Sequence, residues 1–452
     1  MDKICWIIIV NFLLYFKTLR FKFVSDDYAV FMNPPAFKNR WHKYWLRFTG
    51  QIKLKNNSYV IRRGKIHKAP TEEVEHLIAL LIHTAICVMI YLALGSGSVS
   101  FVAALLYAVN PVNNQGTIWP GGRGYALPIL GILTAIYSVW LAPVALFFAS
   151  WFTVGFLAPL CLIGSTKWWL LGVMVVIWAI HAHKFITAVK NKAGSESFTE
   201  DKLSFHPKKF VLAIKTFGFY TTLCLIPFRI TFYHNFLQSC SGSMKHKAYS
   251  LCRYFWIGVM ALAGMTLCWI YVPWNTLSWA LLAWCITIAP FCNFKRANQE
   301  IAERFAALPN VFLMFALAHL IAPFPMIVAI FLTFYATRTY YTINLYKDEY
   351  FITEMAVMED PHAWWAWHCR AMKRWDTESY KEALILWVMA KMISPKEFKI
   401  LMNIATCLRL LKNNQEADQF LKLAEENIVP GQEKEAKEFI KQHKAGKLPI
   451  LL

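Results

Sequence analysis

Apolar stretches recur along most of this chain, each closed off by a short polar island. The first runs from Ile4 to Phe16, and others follow near 77–94, 98–109, 125–141, 143–164, 168–182, 209–228, 252–272, 276–291, 305–322 and 324–343. A soluble domain cannot hide that much apolar surface, whereas a lipid bilayer leaves it no need to hide. The composition agrees: of 452 residues, 57% are hydrophobic and only 16% are charged. The expected fold class is therefore all-α, a polytopic membrane helix bundle of about eleven spans over residues 1–343. Several stretches are shorter than the ~20 residues a span requires, so half-spans and broken helices are expected among them.

Charge is distributed unevenly. Residues 345–452 carry 16 Lys+Arg and 16 Asp+Glu, so the first 344 residues (31 basic, 11 acidic) hold the whole +20. A basic membrane part favours membrane lipid and phosphate-bearing lipid as partners. No basic recognition helix accompanies the charge, and no nucleic-acid partner is expected. The eleven cysteines are scattered through apolar runs without a CxxC pair. They read as small packing residues and give no metal site.

An odd span count puts the termini on opposite sides. With the N-terminus in the cytoplasm, residues 17–76 form the first extracytoplasmic loop. The islands at 110–124, 229–251 and 292–304, and the whole tail, then share that outer face. The short connectors and the basic segment 183–208 stay inside, as the positive-inside rule prefers. The 13 Lys/Arg of 17–76 pull the other way. The placement is kept because it gathers every chemically interesting segment on one side.

The tail has a period. Ala371, Ala383 and Ala390 return as Ala405, Ala417 and Ala424, each 34 residues on, and Pro361 returns as Pro395. Trp367 pairs with Leu401 and Trp387 with Leu421 at equivalent large positions. Small residues at close helix contacts with a 34-residue period form the tetratricopeptide pattern. Residues 344–452 are expected to be a small helical repeat domain, with 344–360 a preceding half-repeat and 432–443 a capping helix.

Three polar islands carry chemistry. Asp26 and Asp27 follow the first apolar run in FKFVSDDYAVFMNPP. Adjacent carboxylates repel and raise the pKa of one, which suits a general base, although Ser-Asp-Asp is also an ordinary turn composition. In YAVNPVNNQGTIWPGGRGYAL, the glycines let backbone approach a ligand and Arg123 offers a phosphate fork. In NFKRANQEIAERFAALP, Lys295, Arg296 and Arg304 are phosphate candidates, with Glu300 and Glu303 able to pair with them. Arg229, His234 and Arg338 at span ends read more readily as snorkelling anchors.

These islands, in this order, resemble the multi-spanning glycosyltransferases of the GT-C superfold. The resemblance is closest to the transmembrane-and-tetratricopeptide protein O-mannosyltransferase family and its bacterial relatives. It rests on VSDDYAVFMNP, VEHLIALLIHTAIC, LLYAVNPVNNQGTIWPGGRGYAL, AERFAALPN and TRTYYTINLYKDEY, followed by the repeats. It implies transfer of a sugar from a polyprenyl-phosphate-linked donor to an acceptor, a protein Ser/Thr hydroxyl, on the extracytoplasmic face. Asp26 would be the base and Asp27 its partner. Arg123, Lys295, Arg296 and Arg304 would surround the donor phosphate. Asn110, Asn113, Gln115, Glu303, Arg229, His234 and Arg338 would support the site, and the repeats would hold the acceptor protein. The location implied is the inner or plasma membrane of a prokaryote or the endoplasmic reticulum of a eukaryote.

The chain departs from the family at Asn110, Asn113 and Gln115, where the family has two histidines and a glutamate, and at Ser150-Trp151-Phe152. An amide keeps a hydrogen bond but shuttles no proton, which counts against a divalent metal and leaves no cofactor beyond the lipid-linked donor. Two other readings stand beside the transferase: a non-catalytic membrane-anchored repeat scaffold, and a lipid-linked oligosaccharide ligase or polymerase.

Overall fold

The computed structural model describes residues 2–24, 71–138, 140–149, 172, 207–231, 234, 251–272, 275–292, 301–359, 361, 364–428 and 433–446. Every described element is a helix, and there is no strand among the described residues. Two compact units are formed, one ending at Glu349 and one beginning at Tyr350, with His234 grouped in the second.

The first unit contains α1 (Lys3–Tyr15), α2 (Glu72–Ala93), α3 (Ser98–Val109), α4 (Asn114–Ile118), α5 (Arg123–Tyr137), α6 (Ala142–Ala149), α7 (Pro207–Leu225), α8 (Arg253–Tyr271), α9 (Thr276–Ile288), α10 (Glu303–Ile321) and α11 (Pro325–Thr342). Three of these, α2, α8 and α10, are long and apolar enough to cross a membrane. With 22 residues, α2 reaches roughly 33 Å at 1.5 Å per residue. By contrast α3 has 12 residues and ends at Asn110, where Pro111 cannot continue the helix hydrogen bonding.

Helix α10 forms the core of this unit. Nearly all of Ala306–Ala318 is buried, against α3, α5 and α9. The outward surfaces of α8 and α11 are apolar, with Trp256, Met260, Leu267, Met326, Ile327 and Ile330 exposed. Such surfaces suit hydrocarbon, where the helix satisfies its own backbone. Helices α7 and α8 meet backbone to backbone at Gly218 and Gly258. A Cβ on Gly218 would strike the backbone at Tyr254 and Gly258, and one on Gly258 would strike Ile214. Small residues allow that approach.

The second unit contains α12 (Glu349–Glu359), α13 (Trp364–Asp376), α14 (Tyr380–Ile393), α15 (Phe398–Leu410), α16 (Asn414–Glu426) and α17 (Glu433–Lys444). Consecutive helices pack as pairs, α13 on α14 and α15 on α16. The residues that recur every 34 positions lie at these contacts: Ala371, Ala383 and Ala390, and Ala405, Ala417 and Ala424, are all fully buried. Trp387 fills one core beside Ile400, Ile404 and Leu408, and Leu421 fills the next beside Phe398 and Leu401. The turns that reverse direction adopt positive φ at Glu378 and Lys412, which are also 34 apart.

Candidate functional site

Polar segments far apart in sequence meet at one end of the first unit. The chain leaving α1 is held there: the Phe23 N–H donates to Glu72 Oε1 at 3.1 Å and the Lys22 N–H to the Lys347 carbonyl at 3.2 Å. His76, one turn into α2, lies 2.8 Å by Nδ1 from the Ile118 carbonyl and beside the rings of Phe21 and Phe23. The Arg304 N–H donates to Gln115 Oε1 at 3.0 Å, so the island before α5 caps the start of α10. Glu303 accepts from the Thr231 N–H at 2.6 Å and from the Tyr346 hydroxyl at 3.5 Å.

The three amides Asn110, Asn113 and Gln115 have structural partners. Asn110 caps the following turn through the Val112 N–H and donates to the Cys224 carbonyl at 2.9 Å. Asn113 donates to the Tyr107 carbonyl at 2.7 Å and accepts from Asn310 Nδ2 at 3.2 Å. Gln115 supplies the α10 cap. Asn110 and Asn113 each use both the carbonyl and the NH2, whereas an ionised carboxylate could only accept.

Two buried arginines have different surroundings. Arg123 is fully buried and its Nη2 lies 2.6 Å from Glu75 Oε2 and 2.5 Å from the Glu75 carbonyl. The phosphate fork expected at Arg123 is therefore engaged by a protein carboxylate. Arg304 is only 4% exposed and sits among the ring faces of Trp119, Tyr125 and Phe305, at 5.7, 5.4 and 5.1 Å from their centroids. An aromatic frame favours a cation electrostatically while leaving the guanidinium planar and forked.

Arg338 donates to the carbonyls of Pro227 and Phe228 and lies over the Phe228 ring, tying the end of α11 to the chain after α7. Arg229 is half-buried in that same connecting segment. His234 is buried and groups with the second unit. Asp26, Asp27, Ser150, Trp151, Phe152, Lys295, Arg296 and Glu300 lie outside the described residues.

Sequence reading missed Glu75, Asn114, Asn310, Thr339, Thr342 and Tyr346. Asn114 bridges the Tyr15 hydroxyl (3.1 Å) and Thr342 Oγ1 (2.9 Å), and Thr339 donates to the Val109 carbonyl at 2.7 Å. Glu75 left one signal. It is the third acid in the first turn of α2, and the first two already suffice for the helix N-terminus. The polar residues inside α11 carried no pattern beyond an ordinary span end.

No protein-family model, curated protein or solved structure matches the chain.

Proposed function

We propose that this chain is a GT-C-type membrane glycosyltransferase with about eleven spans. It takes a sugar from a polyprenyl-phosphate-linked donor and transfers it to an acceptor, a protein Ser/Thr hydroxyl, on the extracytoplasmic face. Its tail is a tetratricopeptide domain that holds the acceptor. One observation carries the reading: the segment 115–125, Thr231 and the start of α10 meet at a single end of an apolar bundle, around the buried, aromatic-framed Arg304 beside Glu303. Burying charge inside apolar helices is costly and marks a working site.

In this reading the acceptor oxygen attacks the anomeric carbon, the bond from that carbon to the phosphate oxygen breaks, and the acceptor proton passes to a carboxylate. Asp26 takes the proton, with Asp27 beside it. Lys295, Arg296 and Arg304 meet the charge that develops on the leaving phosphate. Arg123 contributes through Glu75, as a positioning residue.

The test is transfer of labelled hexose from polyprenyl phosphate to membrane-extracted acceptors by the reconstituted chain. Asp26→Asn with Asp27→Asn is expected to lower turnover by roughly 10²–10⁴-fold, the usual worth of a general base. Unchanged turnover in a normally inserted variant rejects the base. Identical intact masses of extracytoplasmic proteins with and without the gene reject the transferase.

A second reading, a membrane-anchored repeat scaffold without catalysis, is favoured by a specific observation. Asn110, Asn113 and Arg123 are all engaged with the protein itself. It predicts unchanged masses together with loss of a bound protein partner when the tail is altered.

A further inference from the structure

Helix α14 turns one face into the repeat core through Ala383, Trp387 and Ala390, all fully buried. Its opposite face is apolar as well. Ile385, Val388, Met389 and Met392 are 63%, 38%, 37% and 73% exposed. Their spacing of three, four and seven places them on one stripe. The repeat supplies its own control. Thirty-four residues on, the same outward positions of α16 are Gln419, Lys422, Leu423 and Glu426, all exposed and three of them polar. Helix pairing in this unit therefore does not require an apolar outer face, and α14 has one for another reason.

We propose that this stripe is a lipid-docking surface, through which the second unit lies against the bilayer that holds the first. The proposal rests on the membrane reading above. Three observations favour lipid over protein. Only residues 343–348 separate the apolar helix α11 from α12, and Ile343–Tyr346 of these form a short 3-10 helix, so the second unit is tethered within a few residues of the apolar bundle. The stripe begins at Lys381, four residues before Ile385, where a lysine can bury its stem and lift its ammonium to the headgroups. Four side chains in a row offer at most a few hundred Å², below the roughly 1,000 Å² that a stable protein interface needs. A tethered surface settling into lipid needs no such area.

The test uses the full chain reconstituted into phosphatidylcholine–phosphatidylglycerol vesicles, with p-benzoylphenylalanine replacing Met392, Glu426 or Ile330 in separate variants. Ile330 is an exposed apolar residue of α11 and reports membrane embedding. After irradiation, lipid adducts are expected at 330 and 392 and not at 426. Adducts at 330 without adducts at 392 overturn the docking surface and leave the membrane reading standing. A crosslinked dimer through 392, or a link from 392 to another segment of the same chain, overturns it in favour of a second copy or an intramolecular cover. No lipid adduct at 330 overturns both. A second measurement guards against perturbation by the probe: Ile385→Gln with Met392→Glu, the α16 residues, is expected to speed hydrogen exchange of α14 in vesicles while leaving exchange in detergent unchanged. Equal exchange in vesicles overturns the proposal.

Discussion

His368 makes the stability of the second unit depend on pH. The Trp387 indole N–H donates to His368 Nδ1 at 3.2 Å, so that nitrogen must be an unprotonated acceptor and the ring proton sits on Nε2. Protonation would place two hydrogens in one contact, inside a core where Trp387 is fully buried and His368 is 6% exposed. Burial, with Lys399 adding to it, lowers the His368 pKa from 6.5 to about 4. The folded unit thus binds fewer protons than the unfolded chain between those values. The stabilisation is fully present above 6.5 and is lost as pH falls from 6.5 toward about 4. The whole gap is worth ~3 kcal/mol, of which about 2 kcal/mol is gone by pH 5, a roughly 30-fold rise in opening. Glu397 acts in the opposite sense. Burial raises its pKa, so its contribution is present at low pH and is lost as pH rises. Comparison with a variant cancels that term. His368→Gln keeps an acceptor for the indole and removes the titration. Hydrogen exchange of α15 and α16 in the full chain, corrected for intrinsic rates, is expected to accelerate between pH 7.5 and 5 in the parent by about that ~30-fold factor more than in the variant. Superimposable pH profiles would refute the reasoning.

Two further perturbations address the first unit. Gln115→Ala removes the acceptor for the Arg304 N–H at the start of α10, and leaving that buried donor unmet should cost about 1–3 kcal/mol. A thermal unfolding midpoint of the detergent-purified chain that fell no further than for Gln115→Glu, which keeps an acceptor, would show the cap to be dispensable. Arg123→Met strands the Glu75 carboxylate in a buried setting and should cost about 3–5 kcal/mol, whereas Arg123→Met with Glu75→Leu should recover a large part. Equal midpoints for the single and double variants would show that the pair is not coupled.

Most of the second unit was legible from the sequence because its constraint is local. A helix pair repeats its close contacts at fixed spacing, so three alanine pairs 34 residues apart located the buried faces of α13 to α16. The flanking helices expected at 344–360 and 432–443 appear as Glu349–Glu359 and Glu433–Lys444. The later start of α12 has a physical cause: Tyr346 and Lys347 still bond to Glu303 and Lys22 in the first unit, and so hold the chain back from the tail.

The polar end of the first unit was legible only in outline, because hydropathy records where apolar runs stop and not which ends meet. Each island looked like a turn on its own. What joins them is chemistry without a period: an amide on a backbone N–H at Gln115, an amide between a hydroxyl of α1 and one of α11 at Asn114, a carboxylate on a guanidinium at Glu75. The amides at 110, 113 and 115 therefore join segments of the bundle end. An amide donates and accepts at once, so it can lock two segments where a histidine or carboxylate would be able to move a proton. The consequence is a division of labour along the sequence. The island at 110–122 holds the bundle end together through bonds internal to the protein, which is why the proton transfer in the function we propose is assigned to Asp26 and Asp27 and not to this segment.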